Sequence, residues 1–378
     1  MRSTGFVRIE CPSLRVTLTV ASVHRPTRPV DEPTQAAPIF GTLMGMSSRH
    51  RWSTTCTPPG DLVRPVRIDP AGVHGPTRGQ ARGKRWRQVG HGWYVPSSVD
   101  SSLPEQRITE AAAVLPPGGA VTGWASLRLQ GANFHDGLGR DGKTQLLVPL
   151  VVGPECRRTA PHGAVTLRDR LPSSEVIIRQ GIPCAIPERA VFDEMRRAMD
   201  ERHAAVAFDM AAAARLTSLV RTRRYVDLHR GWDGVPLARA GLALADEASR
   251  SPQESLVRMV WELDARRPRP LTNREIFEGG TGRLLGVADL LDPVAGVVGE
   301  VDGADHAGAG RRSADADRDS RFRNHGLEVF RVTSYDNHHP RQLVRRIHEA
   351  YDRAARASPQ PRTWTLQPPP WWVQERRF

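Results

Sequence analysis

Lysine is almost missing from this chain, which has only Lys84 and Lys143 among its 378 residues. The positive charge is therefore nearly all arginine, and the formal net charge is +13. Guanidinium forks suit bidentate phosphate contacts, and a surplus of this size favours a polyanionic partner, nucleic acid first. A composition heavy in Ala, Arg and Gly also follows from GC-rich coding, so basicity alone leaves an inert scaffold open. Cysteine is scarce too. Cys11, Cys56, Cys156 and Cys184 lie far apart with no Cys-x-x-Cys pair. That argues against a zinc ribbon or a disulfide framework and fits a reducing compartment. No apolar run reaches the roughly 18 residues that span a bilayer, and 14–23, broken by Arg, Thr and Ser, makes a poor signal peptide. These absences predict a cytoplasmic protein that does not enter a membrane.

What is present divides the chain. Residues 1–60 are rich in Pro, Thr, Ser and Arg without sustained periodicity, which predicts a disordered or non-native extension, with Met44 and Met46 as alternative starts. Residues 61–100 form a basic segment. Its run Arg82-Gly83-Lys84-Arg85-Trp86-Arg87 leads into the strand Gly92-Trp93-Tyr94-Val95. This reads either as the wing of a truncated winged helix or as a basic loop before a small sheet, and in both readings Lys84, Arg85 and Arg87 are candidate phosphate contacts. Residues 101–250 read as an α+β domain. Helices are expected from 102 to 113, 120 to 130, 187 to 199, 204 to 214, 218 to 229 and 235 to 249, and strands at 146–152 and 175–179. Residues 251–358 read as helix, hairpin, helix, strand, helix, an α/β arrangement with a mixed sheet flanked by helices. A Pro- and Trp-rich tail, 359–378, shows no interpretable pattern.

Candidate chemistry concentrates in the hairpin 286–306. Alternate residues of a strand share a face, so Glu300 and Asp302 project together with Val298, and Asp289 sits mid-strand in the preceding run. Unpaired carboxylates among Val, Leu, Ala and Gly are costly when buried. Magnesium, with manganese as a substitute, is one partner for them, since it takes hard oxygen ligands from one or two carboxylates plus water and phosphate. Ion pairing with arginine is the other. His306 lies just beyond as a proton-transfer candidate. On the helix expected over 312–325, Ala314, Arg318, Arg321, Phe322 and His325 recur on one face. Arg318 and Arg321 should then point toward the sheet as charge partners or phosphate ligands, or else snorkel to solvent. Glu254 stands third after Ser251, a capping-box position that could also lend a carboxylate to a metal.

The series Ser251-Pro252-x-Glu254, Asp289, Glu300-x-Asp302-Gly303-x-x-His306, Asp315-x-x-Arg318-Asp319-x-Arg321 and the run from Gly326 to Thr333 resembles the domain of unknown function 559. That family is similar to the very-short-patch repair endonucleases of the restriction-endonuclease-like group. The resemblance runs from Ser251 to about Tyr351 and implies a magnesium site and phosphodiester hydrolysis. On it, Asp289 and Glu300 match the metal-binding acids, Glu254 the helix acid and His306 a proton-transfer group. Asp302 stands where the wider group carries a lysine that orients the attacking water. The part from Val63 to Ser249, through Gly92-Trp93-Tyr94-Val95-Pro96, 120–125 and 186–193, resembles actinobacterial type IV abortive-infection antitoxin-like proteins, which implies DNA binding or regulation beside a partner toxin. Two functions follow as expectations: a metal-dependent DNA endonuclease, with Asp302, His306 and Glu254 assisting the chemistry, or a non-cleaving DNA-binding regulator of antitoxin type.

Overall fold

The computed structural model describes residues 53–139, 141–302, 309–333, 336, 339–357 and 362–375. Three strands open it: β1 (Val66–Arg67), β2 (Trp86–Gly90) and β3 (Trp93–Pro96), antiparallel in the order β1-β3-β2. The wing-like aromatic strand is thus present as β3. Among the described residues before it there is one short 3-10 turn, Gln80–Arg82, and no α-helix.

The middle region follows as α1 (Pro104–Ala112), β4 (Ala120–Val121), α2 (Gly123–Leu129), β5 (Val148–Val151), β6 (Ala164–Leu167), β7 (Val176–Arg179) and β8 (Ile182–Ala185). Its five strands form a mixed sheet in the order β6-β5-β4-β8-β7. Helices α1 and α2 pack against this sheet, and four more, α3 (Pro187–Met195), α4 (Glu201–Ala213), α5 (Leu219–Leu228) and α6 (Val235–Leu244), gather around a core that includes Leu127, Phe192, Met195, Phe208 and Leu242. The helix expected over 120–130 is a strand followed by a helix. Thr122 is extended and Gly123 takes φ +54, a turn open to glycine, where a Cβ would strike the Glu194 carboxylate. Strand β8 contains Pro183, which reads as a strand breaker; it is tolerated because β4 pairs with β8 only at Val121 and Cys184.

In the C-terminal part, α7 (Pro252–Met259) widens into a π-type turn at Val260–Asp264. Then come β9 (Leu271–Glu278), β10 (Leu284–Asp292), β11 (Val297–Val301), α8 (Ala309–Asn324), β12 (Glu328–Val332), α9 (Pro340–Arg356), β13 (Trp364–Thr365) and α10 (Pro370–Glu375). The sheet order is β12-β11-β10-β9-β13. Strands β11 and β12 are parallel, joined through α8 as a parallel pair requires, and the remaining pairs are antiparallel. One face, with Leu290, Val297 and Phe330, buries Trp261, Leu343 and Ile347. The other, with Leu291, Val298 and Val329, buries Phe322 of α8. This is the expected mixed sheet flanked by helices, with β9 and β13 added. The polar string of β9 conceals its period, and β13 draws the Trp-rich tail into the sheet through Trp364 opposite Glu278.

All described residues fall within one compact unit. The junction near residue 250 is fastened from both sides. The fully buried Arg258 of α7 donates to Asp209 of α4 at 3.0 Å and to the Leu244 carbonyl at 2.6 Å, and Ser255 donates to Asp209 at 2.7 Å. No helix of the described residues is long and apolar enough to cross a membrane. Among those residues Cys56, Cys156 and Cys184 are free thiols.

Candidate active site

The carboxylates collect where the β10–β11 ladder opens. Register pairs run Asp292–Val297, Leu291–Val298 and Leu290–Gly299. The next step would set Asp289 opposite Glu300, but the ladder stops there. Instead the Val301 N–H donates to Asp289 Oδ2 at 2.8 Å, a side chain taking the role of a backbone carbonyl. On the other side, Leu290 pairs with Thr272 and Ala288 with Arg274, which leaves Asn273 of β9 across from Asp289. Asn273 holds φ +51, a left-handed conformation that costs a non-glycine residue on the order of 1–3 kcal/mol and gathers at functional sites.

That strain aims the Asn273 amide. Its Nδ2 donates to Glu254 Oε2 at 2.6 Å and to the Ala248 carbonyl at 2.9 Å. Glu254 also accepts from the Arg250 N–H at 2.9 Å and from Ser251 Oγ at 3.0 Å, while its own N–H donates to Ser251 Oγ at 3.1 Å. The serine arm of the capping box therefore forms, the carboxylate reaches back to the Arg250 N–H and Ser251 Oγ, and this holds it beside the acid cluster. Burial first, and the charge of Asp289 second, push the Glu254 carboxyl up to about 7.

Glu300 is almost wholly buried, at 1% exposure. Its burial, then Asp289, drive its carboxyl well above the usual carboxylate range. Arg318 Nη2 donates to its Oε2 at 2.5 Å, and Oε1 is buried with no hydrogen-bond partner among the described residues. Desolvation likewise leads the upward shift of Asp289, and Asp302 adds to it. Arg331, beside Glu300 in the parallel β11–β12 register, spans two more acids: Nη1 meets the Asp302 oxygens at 3.1 and 3.2 Å and Nε meets Asp319 at 2.9 Å. Asp319 Oδ1 is buried and unpartnered. Helix α8 can bring Arg318 this close because Gly286 of β10 lacks a Cβ, which would lie 2.9 Å from both Arg318 Cγ and Phe322 Cζ.

The structure thus brings together Glu254, Asp289, Glu300, Asp302 and Arg318. It does not bring Arg321 with them. Among the residues of α8 whose side chains are described, Asp319 and Phe322 are the buried ones, so its inward face is turned toward Asp319 relative to the expected stripe, and Arg321 is exposed. His325 joins neither set and contacts Glu278 at 3.3 Å. His306 lies outside the described residues. In the N-terminal segment Arg82, Lys84 and Arg85 are exposed, with Gly83 between them. Arg87 is engaged in a bidentate pair with Glu110, 2.8 Å on each arm, and so is not free for phosphate. Sequence reasoning gave no role to Asn273, Asp319 or Arg331. Asn273 could not be found from pattern, since its importance comes from a backbone conformation. Asp319 and Arg331 were visible only as members of the family-like motifs.

As a metal site the donor set is partial. Among the described residues no group of three or more His, Cys, Asp or Glu side chains is arranged to hold an ion. Two carboxylates with water and phosphate suffice for magnesium, however, and the orphaned Glu300 Oε1 beside Asp289 is the kind of hard, buried oxygen such an ion takes. The residues fit on that observation. No protein-family model, curated protein or solved structure matches this chain.

Proposed function

We propose that the chain is a magnesium-dependent endonuclease that hydrolyses DNA phosphodiester bonds in the cytoplasm, with manganese able to substitute. One observation carries the reading: Glu254, Asp289 and Glu300 are all shifted upward, by burial first and by neighbouring acid charge second, around a buried Glu300 oxygen that no group among the described residues satisfies. Asp289 and Glu300 would hold the ion, which when bound polarises a phosphoryl oxygen and lowers the pKa of a water. Glu254, with a pKa near neutrality, is suited to accept or return a proton. Arg318, on the rim of the cluster and 29% exposed, can exchange Glu300 for a substrate phosphate. Asp302 is held by Arg331 and orients that guanidinium beside the cluster. His306 keeps its assignment as a second proton-transfer group.

A second reading is favoured by the same contacts. Arg318 and Arg331 already supply cations to Glu300 and Asp302, and a fold neutralised in this way could hold DNA without cutting it, as an antitoxin-type regulator beside a toxin would. Supercoiled plasmid incubated with the purified full chain and magnesium or manganese separates the two. The first reading expects nicking that chelation and an Asp289→Ala, Glu300→Ala double variant abolish. Plasmid that is shifted but stays uncut with either metal leaves the second.

A further inference from the structure

Far along the chain from the acid cluster, α5 is fastened by a narrow stripe. Thr222, Tyr225 and Val226 are buried, and the Tyr225 ring lies 5.7 Å from that of Phe192 on α3. Apart from the half-buried Leu219 at its start, the rest of the helix faces solvent. Val220 is 78% and Leu228 73% exposed, and the exposed Arg224 stands between them at i+4 from one and i−4 from the other, so the three share a face. Arg221, Arg223 and, just past the helix end, Arg230 are exposed as well.

These arginines are not consumed by the fold. Arg224 has no partner among the described residues. Arg223 reaches only the Leu242 carbonyl at 3.2 Å, and Arg230 only the Asp227 carbonyl at 3.0 Å. Two others are engaged: Arg221 pairs with Glu188 at 2.6 Å, and Arg239 of α6 pairs with the exposed Asp227 at 3.1 Å. Between α5 and α6 a shallow cavity of about 260 Å³ sets Arg223 and Arg239 over Val226, Leu242 and Ala243, with Asp227 at its edge. From residue 215 to residue 239 there are six arginines against two aspartates.

We propose that the outer face of α5, together with Arg239 of α6, is a duplex-DNA docking surface distinct from the acid cluster. A ten-residue helix is about 15 Å long, and an α-helix fits the major groove, which is about 12 Å wide. Guanidiniums along its length meet phosphates, while two projecting aliphatic side chains suit thymine methyls and sugar edges better than they suit water. A protein partner would favour a larger apolar centre with its charge confined to the rim; here a guanidinium lies at the centre. The inference rests on DNA being the ligand, as in the proposed function, and adds where the duplex is held. It requires no cleavage.

The test is binding of a labelled duplex to the full chain in chelator, across about 50 to 200 mM salt, because each phosphate contact contributes about 0.9 to the salt slope. The Arg223→Gln, Arg224→Gln, Arg230→Gln variant is compared with a charge-matched Arg341→Gln, Arg345→Gln, Arg356→Gln variant on α9, whose residues are also exposed. The expected result is a slope shallower by about 2 to 3 and an affinity lower by at least about tenfold for the α5 variant, with a slope change below about 1 for the α9 variant. An unchanged slope in the α5 variant, or equal changes in both, overturns the proposal. Arg224→Gln alone, at a side chain with no partner to lose, should take about 0.9 from the slope and keeps the test decisive if the triple variant folds poorly. Wild-type protein that binds DNA through α5 but never nicks plasmid removes the nuclease reading and leaves this one standing.

Discussion

Two clusters of buried charge, one in each half of the molecule, are balanced in opposite ways. Around α3, Asp193 accepts from Arg189 Nε at 2.8 Å, Arg196 Nε at 2.9 Å and Thr122 at 2.7 Å. Arg189, fully buried, also meets Glu175 at 3.4 Å, and Tyr225 donates to Glu175 at 2.8 Å. Burial alone would lower the Arg189 guanidinium; Asp193 reverses that and holds it above its ordinary value. Its one nitrogen without a hydrogen bond, Nη2, still lies 3.7 Å from Asp169. In the C-terminal sheet Glu254, Asp289, Glu300, Asp302 and Asp319 are met by Arg318 and Arg331, with Arg250 acting on Asp289 by charge alone, and among the described residues two of their carboxylate oxygens find no partner. A cluster that only holds a fold together can come close to neutralising itself, as the first does with two guanidiniums for Asp193, Glu175 and the partly exposed Asp169. The second keeps an excess of acid that the fold holds at a cost, and that excess is what makes it the candidate site.

Removing a charge should therefore do opposite things in the two places, and this is the largest effect expected. Arg189→Ala strips a buried cation from Asp193 and Glu175 and should lose about 3–5 kcal/mol in urea unfolding. Glu300→Gln removes a carboxylate that the native state disfavours, and should leave stability at pH 8 unchanged or higher while plasmid nicking disappears. A loss from Glu300→Gln as large as that from Arg189→Ala would erase the distinction between the clusters.

The distinction can be sharpened with pH. A carboxyl whose folded pKa is raised binds its proton more tightly in the native state, so its contribution is fully present below the unfolded pKa and is lost as pH rises through the folded one. For Glu254 that window runs from 4.5 to about 7. The upward shifts of Asp289 and Glu300 act with the same sign, as does Asp209, pushed up to about 6 chiefly by burial. Thermal midpoints should fall from pH 5 to pH 8, and Glu254→Gln should flatten the curve. A midpoint that climbs over this range in both proteins would show the acids to be ionised and well satisfied. Magnesium should partly restore the loss at pH 8, by about 2.7 kcal/mol at a hundredfold excess over Kd, and should do nothing for Glu300→Gln.

The acid cluster was legible in part because strand alternation and the capping box are local rules. Period two put Glu300 with Asp302, and Ser251 three residues before Glu254 announced the helix start that carries that carboxylate. What escaped depends on distant parts of the chain. Strand β9 reads Leu-Thr-Asn-Arg-Glu-Ile-Phe-Glu, with polar residues through its first half and Ile276 and Phe277 both buried opposite the register shift between Leu284 and Gly286, so no window of sequence shows a strand. The helix face bearing Arg318 was found but turned too far toward Arg321, because the pull of Arg331 on Asp319 across the sheet is invisible in α8 alone. Trp364 and Trp372 read as an unpatterned tail until β9 exists to receive them; Trp364 then pairs at its edge and Trp372 donates to Glu275 at 3.0 Å.

Asn273 allows the finest adjustment of the acid cluster without touching an acid. Asn273→Gly relaxes the left-handed backbone, a gain of about 1 kcal/mol or more, and gives up the amide donated to Glu254, a loss of similar size, about 1 kcal/mol, because at pH 5 the Glu254 carboxyl is protonated and the acceptor is neutral. The two should nearly cancel, leaving urea stability at pH 5 within about 1 kcal/mol of wild type. The trace should appear in the pH profile instead. The Asn273 amide is one of the donors that hold the Glu254 pKa down against burial. Without it the carboxyl keeps its proton to higher pH, and the fall in thermal midpoint should move toward alkaline values. A profile that stays in place while stability drops by more than about 2 kcal/mol would make Asn273 a fold-forming residue like Arg189, and would move this corner of the acid cluster to the self-neutralised side of the comparison.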